Sequence, residues 1–185
     1  MLYKVGGNHP GRGEIEFNDT QFEDSNGVVN LKSVVSSSYA LLTDIKALGT
    51  NGGTFTAGSW TRRDINTTKI DNDNITVLNP VTSLITLEAG TYKIFVNAPF
   101  SGTSVSKIRL YNNTSSVVIA EGLNAWESAG SSVIYAVLPY QFELLAQADI
   151  SIEHFCNTTK TFTGFGRATN IGTEEQYTTI EIWKV

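Results

Sequence analysis

Between Leu84 and Ala98 the chain alternates. Tyr92, Ile94, Val96 and Ala98 fall on one parity, and Lys93, Phe95 and Asn97 fall on the other. A period of two, rich in β-branched and aromatic residues and entered through a turn at Ala89-Gly90, specifies a strand. No helical period competes with it in that window. The rest of the chain repeats the same grammar, with short alternating runs followed by clusters of Gly, Asn, Thr and Ser. Only 17% of the 185 residues are charged, and the polar load falls on strand-surface and turn residues rather than helix formers.

The remaining strands follow from the same pattern: Tyr39 to Ala47, Thr54 to Ile65, Ile75 to Leu78, Leu84 to Leu87 and Ala148 to Asn157. Val105 to Tyr111 leads through Asn112-Asn113-Thr114 into Val117 to Ala120, which predicts a hairpin. Ser131 to Leu145 is expected as two strands meeting at Pro139, because proline is excluded from a central ladder. Thr178 to Val185 completes the set. Short strands at regular spacing predict a sandwich or barrel over residues 47–185. Residues 1–46 are sparse in core-sized apolar side chains and rich in breakers such as Gly6-Gly7-Asn8-His9-Pro10-Gly11. They are expected to form an N-terminal arm that is extended or adds a strand to a sheet edge. The competing expectation is that the arm pairs back onto its own sandwich.

Composition excludes several classes. A net charge of -5 argues against nucleic acid or an anionic membrane as partner. The single cysteine, Cys156, removes internal disulfides and multi-cysteine metal sites. The N-terminus lacks the apolar stretch of a signal peptide, and no run approaches the ~18 apolar residues of a membrane span. The expectation is therefore synthesis in a reducing cytoplasm without membrane insertion.

Candidate chemistry is thin. His154 and Cys156 share one strand face with Glu153 on the other, a pattern better fitted by core packing than by a nucleophile or metal. Asp71-Asn72-Asp73-Asn74 begins like a calcium loop but continues with Ile75 and Thr76 where a ligand and Gly are needed, so a solvated turn is expected. Gly49 to Gly53 lacks the Lys-Ser/Thr of a phosphate-binding loop and reads as backbone turns. Arg62, Arg63 and Asp64 read as a surface or intersubunit ion-pair cluster. Glu121, Glu127, Glu143 and Asp149 are scattered carboxylates that spacing alone does not pair for glycoside cleavage. The expectation is a protein that is not an enzyme, with no catalytic, cofactor-binding or metal residues. Function is expected on loop tips: Trp126 in Glu121 to Ser131, and Phe162, Phe165 and Arg167 in Thr158 to Thr173. The competing expectation is that these aromatics seal the end of the sandwich.

With the strands placed, Gly49-Thr50-Asn51-Gly52-Gly53-Thr54-Phe55-Thr56-Ala57-Gly58-Ser59-Trp60 and Thr61-Arg62-Arg63-Asp64-Ile65 resemble a segment of tailed-phage fibre and appendage proteins. Glu88-Ala89-Gly90-Thr91-Tyr92-Lys93-Ile94-Phe95, Arg109-Leu110-Tyr111-Asn112 and Tyr177-Thr178-Thr179-Ile180-Glu181-Ile182-Trp183-Lys184 follow in the same order. The Ala-Gly-Thr-Tyr entry is similar to the equivalent strand of C1q/TNF-like jelly rolls. The resemblance spans about Gly49 to Val185. It implies an all-β antiparallel jelly-roll sandwich assembling as a homotrimer, with Phe95, Tyr135, Tyr140, Phe142, Tyr177 and Trp183 in the core or at the trimer interface. The role it implies is a non-enzymatic protein on the virion surface, a short fibre or spike whose knob binds host-surface glycan or protein. The N-terminal arm would dock it on other virion proteins. The alternative is a capsid-decorating protein that holds the major capsid lattice as a trimer through the arm.

Overall fold

The run from Leu84 to Ala98 belongs to two different sheets. In a computed structural model of the chain, which describes residues 38–127 and 132–185 in full, the turn at Glu88-Ala89 carries the backbone from one sheet to the other. Within residues 1–37 the structure describes four short strands: β1 (Tyr3–Val5), β2 (Ile15–Phe17), β3 (Phe22–Ser25) and β4 (Val28–Leu31). They pair as two antiparallel ladders, β1 with β2 and β3 with β4. The expected docking role of the arm rests on side chains outside the described residues.

The chain separates into compact units Met1–Ser37 and Ser38–Val185. The boundary expected from sequence lay after Lys46, within the first strand of the second unit. The second unit holds β5 (Ser38–Ala47), β6 (Thr61–Arg62), β7 (Thr67–Asp71), β8 (Val77–Asn79), β9 (Leu84–Leu87) and β10 (Gly90–Phe100). It continues with β11 (Val105–Asn112), β12 (Val117–Glu121), β13 (Ala125–Trp126), β14 (Ile134–Leu144), β15 (Ala148–Cys156) and β16 (Glu174–Lys184). One sheet has the order β14-β10-β16-β5-β7. The other runs β12-β11-β15-β9-β8, with β13 on β11 and β6 on β15. All these pairings are antiparallel, as expected for the jelly roll.

The core lies between the sheets. Tyr92, Ile94, Val96 and Ala98 of β10 and Ile180 and Ile182 of β16 face Ile108 and Leu110 of β11 and Ile150 and Ile152 of β15, and all are buried. Each such aliphatic contributes about 1.5–3 kcal/mol when fully buried. The alternation read from sequence is therefore the core parity of each strand.

Two local expectations change. Ile134 to Leu144 is one strand rather than two, with Pro139 in unbroken register opposite Phe95. β14 is the edge of its sheet, where a residue without an N–H can turn its nitrogen to the unpaired side. Thr54 to Ile65 is mostly loop, and only Thr61–Arg62 joins a ladder.

Candidate interaction surface

Sheet faces that meet water are normally polar. The face of the five-stranded sheet turned away from the core is not. In one row, Pro139, Phe95, Glu181, Leu41 and Ile70 lie side by side across all five strands. In the next row Lys93, Trp183 and Tyr39 follow. Phe95, Leu41, Tyr39 and Trp183 are half-buried and Ile70 is exposed. The rings of Tyr39 and Trp183 sit 5.3 Å apart. The Tyr39 hydroxyl donates to a Glu181 carboxylate oxygen at 3.1 Å. Partial burial, then that carboxylate, raises the Tyr39 pKa.

Of the residues expected in the core or a trimer interface, Phe142 and Tyr177 are buried within the single chain. Phe142 stacks on Tyr92 at 5.8 Å, and the Tyr177 hydroxyl donates to the Thr50 carbonyl at 2.6 Å. Tyr140 has core parity, opposite Ile94, but stays 47% exposed because β14 is the sheet edge. Phe95, Trp183 and Tyr135 lie on the outward parity. Tyr39, Leu41 and Ile70 were not foreseen. Their signal was present in Tyr39-Ala40-Leu41-Leu42, apolar on both parities like Ile94-Phe95-Val96, the mark of a strand covered on both faces.

The loops at one end of the sandwich divide. Trp126 and Phe162 are exposed, at 63% and 74%, and Arg167 is exposed as well. Phe165, expected at the surface, is buried against Phe55 at 4.5 Å. There it seals the sandwich end. Two distant segments zip together to make this seal: Phe55 and Lys160 exchange both backbone hydrogen bonds at 2.9 Å, and Gly52 N–H donates to Gly166 O at 3.0 Å. A Cβ on Gly52 would stand 2.6 Å from the Phe165 carbonyl, so the glycine is needed for backbone to approach backbone. Gly49 to Gly53, read as backbone turns, also supplies backbone pairing to a distant segment.

Arg63 is not the surface charge that its Arg62-Arg63-Asp64 context predicted. It is 1% exposed, its Nε donates to Thr178 Oγ1 at 2.8 Å, and one terminal nitrogen donates to Phe165 O at 3.0 Å. Burial lowers its pKa to about 10, opposed by the nearby charges of Asp44 and Asp64. Asp64 pairs instead with Lys46 at 3.0 Å, and Arg62 donates to Asn113 and to the Thr82 carbonyl.

His154 and Cys156 do share a buried face. His154 Nε2 lies 2.7 Å from Ser106 Oγ, while Nδ1 is buried without a partner. A serine–histidine pair with no carboxylate on the second nitrogen, sealed under Phe55, Phe100 and Phe165, has neither the orienting acid nor the substrate access of a nucleophilic site. Burial, then the Arg63 charge, holds the His154 pKa well below 6.5. Burial pushes the Cys156 thiol up to about 11, and the thiol donates to Thr158 O. Glu153 is on the opposite face, paired with Arg109 at 2.7 Å.

The other candidate acids are committed separately. Glu121 pairs with Lys107 at 2.8 Å, Glu127 accepts from Thr103 N–H at 2.8 Å, and Asp149 accepts from Thr86 at 2.6 Å. Glu143 is exposed on β14, opposite Thr91. The Asp71 carboxylate accepts from Ile75 N–H and from both Thr76 N–H and its hydroxyl, which closes the turn with protein donors. Among the described residues no three Asp, Glu, His or Cys side chains are grouped to hold a metal.

Beyond the apolar rows, at the rim of the same face, lies a cleft of about 200 Å³ walled by Tyr135 and Arg167 over Tyr177. It adjoins a shallower hollow of about 400 Å³ formed with Asn97, Gln176 and Thr179.

No family model and no curated protein matches the chain. Solved structures do share its fold. The globular domain of zebrafish complement 1qA superposes with a TM-score of 0.51 at 12% identity, over 81% of this chain and 98% of that one. Murine APRIL gives 0.50 at 10% identity, over 81% and 100%. Eiger TNF from S. frugiperda gives 0.52 at 8% identity, over 80% and 93%. The fold is the C1q/TNF-like jelly roll.

Proposed function

We propose that three copies of this chain associate through the outward face of the five-stranded sheet to form a non-enzymatic surface protein of a tailed-phage virion. One observation carries the self-association: a row of Pro139, Phe95, Leu41 and Ile70 crosses a sheet face that the described residues leave uncovered. Apolar side chains on both faces of a sheet require a second partner layer. A cyclic assembly supplies one without leaving an open interface. Glu181 within the row is already hydrogen-bonded by Tyr39, which lowers the cost of covering it.

The fibre reading draws on the sequence resemblance to phage appendages. In it the exposed Trp126, Phe162 and Arg167 meet the host surface and residues 1–37 dock the knob on the particle. The experiment offers labelled protein separately to host cells and to virions lacking it. Binding to cells that competes with phage adsorption, and that falls on Trp126→Ala or Phe162→Ala, supports the fibre. Saturable binding to particles alone, lost on removal of residues 1–37, replaces it with capsid decoration.

A further inference from the structure

We infer that Phe162 is the anchor of a protein-binding site, a single ring held out at the loop end of the sandwich to enter an apolar pocket on a partner protein. The inference rests on the host-binding part of the proposed function and deepens it, naming the partner class as protein rather than glycan or lipid. The residue lies on a loop, not on the outward face of the five-stranded sheet that self-association covers.

Backbone geometry makes the first argument. Phe162 has φ +62, and Thr163 N–H donates to Thr161 O across it at 2.7 Å. That is a γ-turn of the positive-φ kind, which is rare and strained, and for a bulky aromatic residue such a φ is an outlier. Strain of this sort persists only where the surroundings over-determine it. Here they do. Phe162 N–H donates to Thr54 Oγ1 at 3.1 Å, and the Phe162 carbonyl accepts from Gly53 N–H at 3.1 Å. Three residues on, Phe165 is buried and held by Arg63, so the turn stands on a fixed base.

The fold draws little from the ring in return. Phe162 is 74% exposed and pairs with no other ring among the described residues. A side chain that costs strain and buries little within its own chain fits a role in which a partner supplies the burial. Because the turn is set beforehand, little freedom is lost on binding. Aromatic anchors of this kind dominate the centres of protein interfaces.

The surroundings choose the partner. Residues 158–166 and the facing segment Gly52-Gly53-Thr54-Phe55-Thr56 contain no Asp, Glu, Asn or Gln. No carboxylate or amide side chain of these segments therefore stands beside the ring to hold paired sugar hydroxyls. Their one charged residue is Lys160, which is half-buried. A lone cation with one ring is too little to hold an anionic bilayer. What remains is an apolar anchor bordered by the exposed, uncharged Thr54, Thr56 and Thr161, the pattern of an interface centre within a polar rim.

The test has two parts, both on the full chain. In the first, thermal melts compare Phe162→Gly with the unmodified protein. Glycine takes a positive φ without strain, so the midpoint should rise. A lowered midpoint would assign the ring to the fold and overturn the inference. In the second, labelled protein is offered to intact host cells, to cells shaved with proteinase K and to cells oxidised with periodate. Vesicles of phosphatidylethanolamine and phosphatidylglycerol form a fourth target. Binding should survive oxidation, be lost on shaving and be absent from the vesicles, and Phe162→Gly should weaken it on intact cells at least about tenfold. Binding that survives shaving but not oxidation, or that appears on the vesicles, overturns the inference in favour of a glycan or a lipid. Full-strength cell binding by Phe162→Gly overturns the anchor and leaves the fibre proposal standing. No binding to intact cells removes the fibre proposal and the anchor together.

Discussion

Arg63 places its guanidinium 4.2 Å over the ring of Phe165 and donates a hydrogen bond to that same residue's carbonyl oxygen. One buried side chain thereby anchors the 160–166 loop to the sheet from beneath. Arg63→Ala leaves a cavity and strips donors from Phe165 O and Thr178, and should cost about 3 kcal/mol or more. Arg63→Met keeps the volume and removes the desolvated charge, and should cost about half as much. Chemical denaturation midpoints of the two variants give the comparison; equal losses would show that the guanidinium's bonds, not its bulk, hold the loop.

The zipped loops make a second prediction. A Cβ on Gly164 would stand 2.5 Å from Phe55 Cβ and 2.7 Å from Lys160 O. Gly164→Ala should therefore destabilise by about 1–3 kcal/mol through overpacking. Gly58 has φ +84 and open space around its Cα. Gly58→Ala should cost about 1 kcal/mol, from backbone strain alone. Thermal melts of the pair order the two effects.

His154 makes a third. Its folded-state pKa is depressed below 6.5 by burial. In the window from 6.5 down to the folded value, the unfolded chain takes up a proton that the folded chain refuses. Stability is thus greatest above the unfolded value and falls as pH drops below it. His154→Gln should flatten the stability–pH slope in that window even if it lowers stability throughout. An unchanged slope from about pH 7 to about pH 5 would remove His154 as its source.

How far these features could be read from sequence depends on the range of the interactions that make them. Tyr92, Ile94 and Val96 declare their strand because period two is a local property. Tyr39 to Ala47 alternates only weakly, and the partner that makes Ser38–Ala47 an interior strand, β16, lies at the far end of the chain. Pro139 was read as a break by a rule for central strands, and edge position is a fact of topology. Arg63 sat between charged neighbours and looked exposed. Its partners Phe165 and Thr178 are more than a hundred positions away, and no local signal marks them. Phe162 and Arg167 were legible as exposed loop residues by their polar settings, and Trp126 as exposed although it lies in β13; Phe165, three residues past Phe162, was not separable from them.

The central claim is that the outward face of the five-stranded sheet is covered by other copies of the chain. Light scattering on the size-fractionated protein at micromolar concentration tests it most directly, with Phe95→Lys and Leu41→Lys alongside. About three chain masses for the unmodified protein, falling to one for both folded variants, is the predicted result. A single chain mass for the unmodified protein, or three masses retained by both variants, would contradict it.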